Sequence, residues 1–234
     1  MAKYDPTQTR FLDRFDLLLV VSTATVALLL LVDLNQDTGI YEVLAVTVTI
    51  LTAMMLLLAV GAAGIGRRGR LWAWIAAATT VLASVAGAFL SDTATTHGGL
   101  FWLVLVIAAP IVTLRRILHH REVSTQTILG AVSVYLLMAI AGTYLFLFID
   151  SSGLGANHFF GTEEPTTVFM YFSLVTLTTL GYGDFAPIGV AGRAAAGWVA
   201  VIGQIYLVVV VAYIVAVYTT MRSRRHDSAS ADDD

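Results

Sequence analysis

The feature that most restricts the fold of this chain is a series of long uncharged stretches, which short clusters of charged residues separate. A helix needs about 20 apolar residues to cross the hydrocarbon core of a bilayer. Stretches close to that length lie at 17–32, 43–66, 71–91, 98–114, 123–149 and 194–221. Only 12% of the residues are charged and the mean hydropathy is +0.82, so the composition also places the chain among membrane proteins.

The basic residues predict how these stretches are oriented. Of the 13 Lys and Arg residues, all but Arg193 precede the first stretch or follow the second, fourth or sixth stretch. Cytoplasmic loops carry an excess of Lys and Arg, so both termini are expected to be cytoplasmic. The number of crossings between Arg121 and Arg222 is then even, and a further uncharged stretch at 165–183 must be re-entrant. A re-entrant segment is tolerated where protein buries it or where it lines a water-filled cavity.

The re-entrant stretch leads into Thr-Leu-Thr-Thr-Leu-Gly-Tyr-Gly-Asp at 176–184. This segment resembles the T-x-x-T-x-G-Y-G-D pore signature of tetrameric potassium channels, in which backbone carbonyls replace the hydration shell of K⁺. Leu180 stands where that family most often has Val or Ile. The matching positions are Thr176, Thr179, Gly181, Tyr182, Gly183 and Asp184.

The resemblance implies a selectivity filter at 179–183 and permeant K⁺ as the only bound species, with no other cofactor. The carbonyls that would bind K⁺ belong to Thr179, Leu180, Gly181 and Tyr182. Successive carbonyls point inward only if the sign of the backbone angle φ alternates from residue to residue. Glycine adopts positive φ without a Cβ clash. Positive φ is therefore expected at Gly181 and Gly183, and the side chains of Leu180 and Tyr182 are expected to pack against the pore helix.

Residues beside the filter are expected to support it, and these are Tyr171, Val175, Thr176, Thr178 and Asp184. Tyr171 is either a hydrogen-bond partner of Asp184 or an interfacial aromatic residue. Val175 stands where simple two-helix bacterial potassium channels carry a Glu, so filter inactivation through a buried carboxyl is not expected.

Gly203 and Gln204 are the candidates for the inner pore. Gly203 lies where the family often has a hinge glycine, but glycine is also common in membrane helices where two helices pack closely. Gln204 is costly in hydrocarbon unless it faces protein or water, so it lines the inner cavity or bonds to a neighbouring helix.

The fourth stretch lacks the series of arginines that a voltage sensor needs. Several charges are required because each one moved through the field yields only about 2.3 kcal/mol per 100 mV. Arg115 and Arg116 stand at its cytoplasmic end, near His119 and His120. This group is a pH sensor, a site for anionic lipid or a simple determinant of topology. The gating stimulus stays open among pH, lipid, tension, weak voltage and constitutive leak.

The sequence thus predicts an all-α membrane protein with six transmembrane helices, a re-entrant pore helix, a filter loop and a four-fold tetrameric pore. The expected divisions are a cytoplasmic N-terminus at 1–16, a four-helix domain at 17–121, a pore domain at 122–221 and a disordered acidic tail at 222–234. The expected parts of the pore domain are an outer helix at 123–149, a turret at 150–164, a pore helix at 165–178, the filter at 179–183 and an inner helix at 190–221.

The predicted function is passive K⁺ conduction by a homotetramer in a plasma membrane, bacterial in character from the Ala, Val and Gly bias. The alternative is a pore-forming or modulatory subunit of a potassium transport complex, although the 165–184 segment is not repeated within the chain. An enzyme is not expected, since no nucleophile, metal or phosphate motif is present. Nucleic acid is not expected either, whereas membrane lipids are. Whether the first four helices pack on their own pore unit is left open.

Overall fold

The computed structural model describes residues 15–31, 40–62, 95–119, 125–154 and 158–231, together with Leu71, Ile75 and Ala78. The helices of this part of the chain are α1 at Phe15–Leu31, α2 at Ile40–Ala62, α3 at Thr95–His119, α4 at Thr125–Ser152, α5 at Thr166–Leu177 and α6 at Val190–Ala231. Most of the predicted third span at 71–91 and nearly all of the predicted N-terminal segment lie outside the described residues.

Two helices in the described part of the chain are long and apolar enough to cross a membrane, and these are Thr125–Ser152 and Val190–Val210. Shorter apolar helices are found at Phe15–Leu31, Thr47–Ala59 and Thr166–Leu177. The architecture is therefore helical with two candidate spans. The six predicted spans and the tetramer stay predictions.

Helix α4 is the centre of the structure, because α1, α3, α5 and α6 all pack against it. Gly130 of α4 allows α1 and α3 to approach α4 closely at the same position along its length. A Cβ at this position would lie 3.0 Å from the ring of Phe15 and 3.1 Å from the side chain of Ile117. Small residues at such points let membrane helices approach closely.

The first and third described helices pack against α4 within the single chain. Helix α1 contacts α5 as well as α4. Residues 120–124 alone connect α3 to α4, and five residues span at most about 18 Å when fully extended. The short connection is consistent with α3 and α4 packing side by side within one chain.

Buried hydroxyl groups in these helices are satisfied locally. Thr25 donates to the carbonyl of Val21 at 2.8 Å, and Thr113 donates to the carbonyl of Ala109 at 2.8 Å. A hydroxyl that bonds to the carbonyl four residues earlier needs no partner from another helix. The helices can therefore carry Ser and Thr in an apolar surrounding.

Two helices extend at least five residues beyond their predicted ends. Helix α6 continues to Ala231, so it includes 222–231, where a disordered tail was predicted. The physical reason is that no Gly or Pro follows Gly203, so nothing in the sequence breaks the helix. Helix α3 continues to His119, which places Arg115 within the helix and not after its end.

Candidate ion-conduction site

Helix α5 is held against α4 by hydroxyl groups. The Ser173 hydroxyl donates to the carbonyl of Ala139 at 2.7 Å, and the Thr143 hydroxyl lies 3.0 Å from the same carbonyl. Gly142 provides the space for this contact, because a Cβ there would overlap the Ser173 hydroxyl oxygen. All these groups are buried. Helix α5 is thus docked on α4 by polar contacts inside an apolar layer.

The start and end of α5 follow from its sequence. Pro165 is the N-cap residue with φ −69° and ψ 160°, one residue before the first helical position. Thr178 is the C-cap residue, and its hydroxyl donates to the carbonyl of Leu174 at 2.7 Å. The backbone amide of Leu180 then donates to the carbonyl of Val175 at 3.0 Å. These bonds fix the direction in which the chain leaves the helix.

The sign of the backbone angle φ alternates along the segment after α5. Thr179 has φ 58°, Gly181 has φ 61° and Gly183 has φ 81°, whereas Leu180 and Tyr182 do not have positive φ. Positive φ was predicted for both glycines but not for Thr179. A β-branched residue rarely adopts this conformation, so the hydrogen bonds on either side must hold it there.

The filter segment, the predicted filter at 179–183, is exposed in the single chain. Leu180 is 56% exposed and Tyr182 is 67% exposed. Neither side chain is covered within one chain, so the expectation that both pack against the pore helix stays a prediction. The sequence placed them against α5 without distinguishing a chain's own helix from that of another copy.

Tyr171 of α5 is joined by a hydrogen bond to Asp184, the residue that follows 179–183. The Tyr171 hydroxyl donates to the Asp184 carboxylate at 2.7 Å, which is one of the two interpretations left open by the sequence. This hydrogen bond, more than burial, raises the pKa of Tyr171 to about 12. The phenol therefore remains a donor at neutral pH.

An aromatic cluster surrounds the outer half of α5. Phe159 and Phe160 have their ring centres 4.8 Å apart, and Phe160 lies 5.4 Å from Phe185. The cluster joins the loop before α5, helix α4, α5 itself and the chain after the filter. Its members are Phe146, Phe159, Phe160, Phe169, Phe172 and Phe185.

The loop before α5 is also tied to α4 by a carboxylate. Asp150 accepts a hydrogen bond from the backbone amide of Phe159 at 2.6 Å. His158 lies 4.0 Å from the same carboxylate oxygen. Asp150 thus holds the loop through the loop's own backbone.

The remaining predicted support residues lie around the end of α5. Val175 is buried, Thr176 is half-buried and Thr178 is exposed. The carbonyl of Thr176 accepts a hydrogen bond from the amide of Thr179 at 3.1 Å. Val175 and Thr176 thus contact the filter segment through their backbone carbonyls.

Gly203 is buried against the end of α5. A Cβ at this position would lie 2.5 Å from the carbonyl oxygen of Leu177 and 2.7 Å from its side chain. The helix is continuous through this residue. Of the two interpretations that the sequence left open, close packing is the one with direct contacts in the structure. Gln204, the next residue of α6, is exposed.

The predicted sensor group is only partly within the described residues. Arg115 is exposed and Arg116 is half-buried, both near the end of α3. His119 is the last residue of the helix, and His120 lies outside the described residues. Their role as a pH sensor, lipid site or topology determinant stays a prediction.

Sequence reasoning missed two tyrosines that join helices, and one of them contacts the end of α5. Tyr135 of α4 donates to the carbonyl of Leu177 at 3.3 Å, and Tyr206 of α6 donates to the carbonyl of Ala131 at 2.5 Å. A polar hydroxyl within an apolar span was the signal available for both, since such groups need a partner.

Comparison with known proteins agrees with this geometry. Residues 132–220 match a family model described as Ion channel, and this range contains most of α4, all of α5, the filter segment and most of α6. Searches of curated proteins and of solved structures gave no match. The match and the apolar helices together support a membrane protein that conducts ions passively and is not an enzyme.

Proposed function

We propose that this chain is one subunit of a potassium-selective channel whose filter is formed by 179–183 of four copies. The observation that carries the proposal is the alternation of backbone sign, with positive φ at Thr179, Gly181 and Gly183. When the sign alternates along an extended segment, successive carbonyls face one side. A row of carbonyls is what a filter needs in order to replace the water around K⁺.

The exposure of this segment supports an assembly of several copies. Every residue from 178 to 184 is exposed in the single chain. Irregular backbone at membrane depth must be covered by protein or must line a water-filled path. A dehydrated cation also needs oxygen atoms on all sides, which one strand does not supply. A cyclic homotetramer meets both requirements.

Helix α6 offers one face to the ion path. Its buried face, which includes Gly203 and Tyr206, packs on α4 and α5. A second face, with Ile202 and Ile205, lines an apolar groove of 390 Å³ beside α3. The third face repeats at intervals of three and four residues and is exposed; it consists of Ala194, Gly197, Val201, Gln204 and Val208. Because Gln204 is costly in hydrocarbon, we place this face at the water-filled inner cavity.

The proposed channel conducts passively and is not strongly voltage-gated, since α3 carries arginine only at Arg115 and Arg116. We place both chain termini in the cytoplasm of a plasma membrane, bacterial in type. Arg115 is exposed near the end of α3, which supports a contact with anionic lipid headgroups.

The proposal is tested by rubidium flux into liposomes that contain the full-length protein. Gly181→Ala adds a Cβ at φ 61° inside the filter, whereas Gly153→Ala adds a Cβ at φ 65° in the loop after α4. Neither Cβ would meet another atom within 4 Å in the single chain. The two variants therefore carry a similar local strain, about 1–2 kcal/mol.

Wild type and Gly153→Ala are expected to take up rubidium, and Gly181→Ala is expected to lose most of that flux. Equal flux in all three proteins contradicts a filter at 179–183. Loss of flux in both variants assigns the effect to strain in general and contradicts the assignment to the filter.

A further inference from the structure

The last carbonyls of α5 have a complete set of hydrogen-bond partners. A helix leaves its final four carbonyls without partners of its own. The amide of Thr178 donates to Leu174, and the amides that follow satisfy two more carbonyls, those of Val175 and Thr176. The backbone amides that lead from α5 into the proposed filter therefore donate hydrogen bonds to three of these four carbonyls.

The fourth carbonyl belongs to Leu177 and has a donor from another helix. Tyr135 of α4, 42 positions earlier in the chain, donates its hydroxyl to this oxygen at 3.3 Å. Leu177 is 1% exposed, so water does not take the place of this donor in the single chain. An unsatisfied buried carbonyl costs about 1–3 kcal/mol.

The inner helix meets the same carbonyl. Gly203 of α6 lies against the Leu177 oxygen, and only the absence of a side chain permits this contact. Tyr206, one turn later, donates to the carbonyl of Ala131, one turn before Tyr135 on α4. The rings of Tyr135 and Tyr206 stack with centres 5.9 Å apart. Helices α4 and α6 are thus joined by a hydrogen bond and a ring contact beside Leu177.

We propose that Tyr135 is a positioning residue for the filter, acting through the Leu177 carbonyl, and that Tyr206 holds α6 in register with this contact. The inference rests on the proposed function as a potassium-selective channel. Thr179, where the filter begins, lies two residues after Leu177, and its amide is bonded to the last turn of α5. A displacement of this turn is therefore passed directly to the first filter carbonyls.

The test is the ratio of K⁺ to Na⁺ permeability, taken from reversal potentials of the full-length protein in planar bilayers. Tyr135→Phe and Tyr206→Phe each remove one oxygen atom. Tyr213→Phe, seven residues after Tyr206 on the same helix and half-buried, is the matched control. Thermal unfolding of each assembly is measured in parallel, since a purely structural role changes stability without changing selectivity.

Tyr135→Phe is expected to lower the permeability ratio about three- to tenfold, the range that one hydrogen bond within a membrane supplies. Tyr206→Phe is expected to lower the ratio as well. The double variant is expected to lower it by less than the product of the two single fold-changes, because both residues act on one contact. Tyr206→Phe gives an independent reading if Tyr135→Phe does not assemble.

A permeability ratio in Tyr135→Phe equal to that of wild type overturns the inference, whether or not stability falls. An equal change in Tyr213→Phe overturns it too. A wild-type protein that conducts without preferring K⁺ contradicts the proposed function itself, so the two failures are distinguishable.

Discussion

At the scale of single residues, the unusual position is Thr179. Its φ of 58° is costly for a β-branched residue, of order 1–3 kcal/mol. Hydrogen bonds from the amides of Thr179 and Leu180 to α5 hold the backbone in this conformation. The strain is located where the proposed filter begins, and residues that contact this turn are expected to influence conduction.

Gly203 distinguishes close packing from hinge bending. Gly203→Ala places a Cβ against the Leu177 carbonyl at the end of α5, so we expect a lower K⁺ to Na⁺ permeability ratio and less stable assemblies. Gly197→Ala on the same helix is the matched control for stability alone, because its Cβ would meet nothing within 4 Å in the single chain but its face is placed at the inner cavity. Bilayer recording and thermal unfolding measure the two effects.

A hinge gives a different result. If Gly203 serves only as a flexible point, alanine changes the open probability and leaves selectivity and stability as in wild type. That outcome contradicts the packing interpretation.

The Tyr171–Asp184 hydrogen bond predicts a specific pH dependence. The bond raises the pKa of Tyr171 from 10.0 to about 12. A raised pKa means that the bond's contribution is complete below pH 10 and is lost as the pH rises towards about 12. Ultraviolet titration should show one late tyrosine that is absent in Tyr171→Phe and shifts towards 10 in Asp184→Asn. A late tyrosine that persists in both variants contradicts the assignment.

At the scale of helices, the docking of α5 on α4 depends on Gly142 and Ser173. Gly142→Ala is expected to destabilise the protein, because the added Cβ overlaps the Ser173 hydroxyl oxygen. Adding Ser173→Ala removes that oxygen, and the new Cβ then lies 3.6 Å from the β-carbon at 173, an ordinary contact.

Thermal unfolding of the assembled protein tests this pair. Ser173→Ala alone should cost about 0.6 kcal/mol, the average for a hydrogen bond between membrane helices, and the double variant should be more stable than Gly142→Ala. A double variant with the sum of both losses shows that the two positions do not meet.

Local signals made α5 and the filter segment predictable from the sequence. Pro165 marks the helix start to within one residue, and glycine marks positive φ at Gly181 and Gly183. The donor to Leu177 was not predictable, because Tyr135 lies 42 positions away. Helices that are apolar on every side do not indicate which face meets which neighbour. The end of α6 was predicted too early, because the acidic composition of the last residues was given more weight than the absence of Gly and Pro.

At the scale of the whole molecule, the single chain leaves its proposed functional surface uncovered. The filter segment and the Gln204 face of α6 are both exposed. Four copies around an axis would enclose the first and would line a water-filled cavity with the second. The family match from 132 to 220 covers both elements.

Cysteine labelling tests the assignment of the α6 faces, since the chain has no cysteine of its own. The Gln204→Cys protein is expected to react with a charged, water-soluble thiol reagent, and the reaction is expected to abolish its current. Ile202→Cys, which lies on the groove face, is expected to keep its current. The reverse pattern contradicts the placement of Gln204 at the cavity.

The central claim is K⁺ selectivity, and the reversal potential of the wild-type protein under a K⁺ gradient opposed by Na⁺ tests it most directly. The full-length chain is reconstituted in a planar bilayer with high KCl and low NaCl on one side, and low KCl and high NaCl on the other. We predict that the current reverses close to the K⁺ equilibrium potential. Reversal near zero, or the absence of any current at all voltages, contradicts the account.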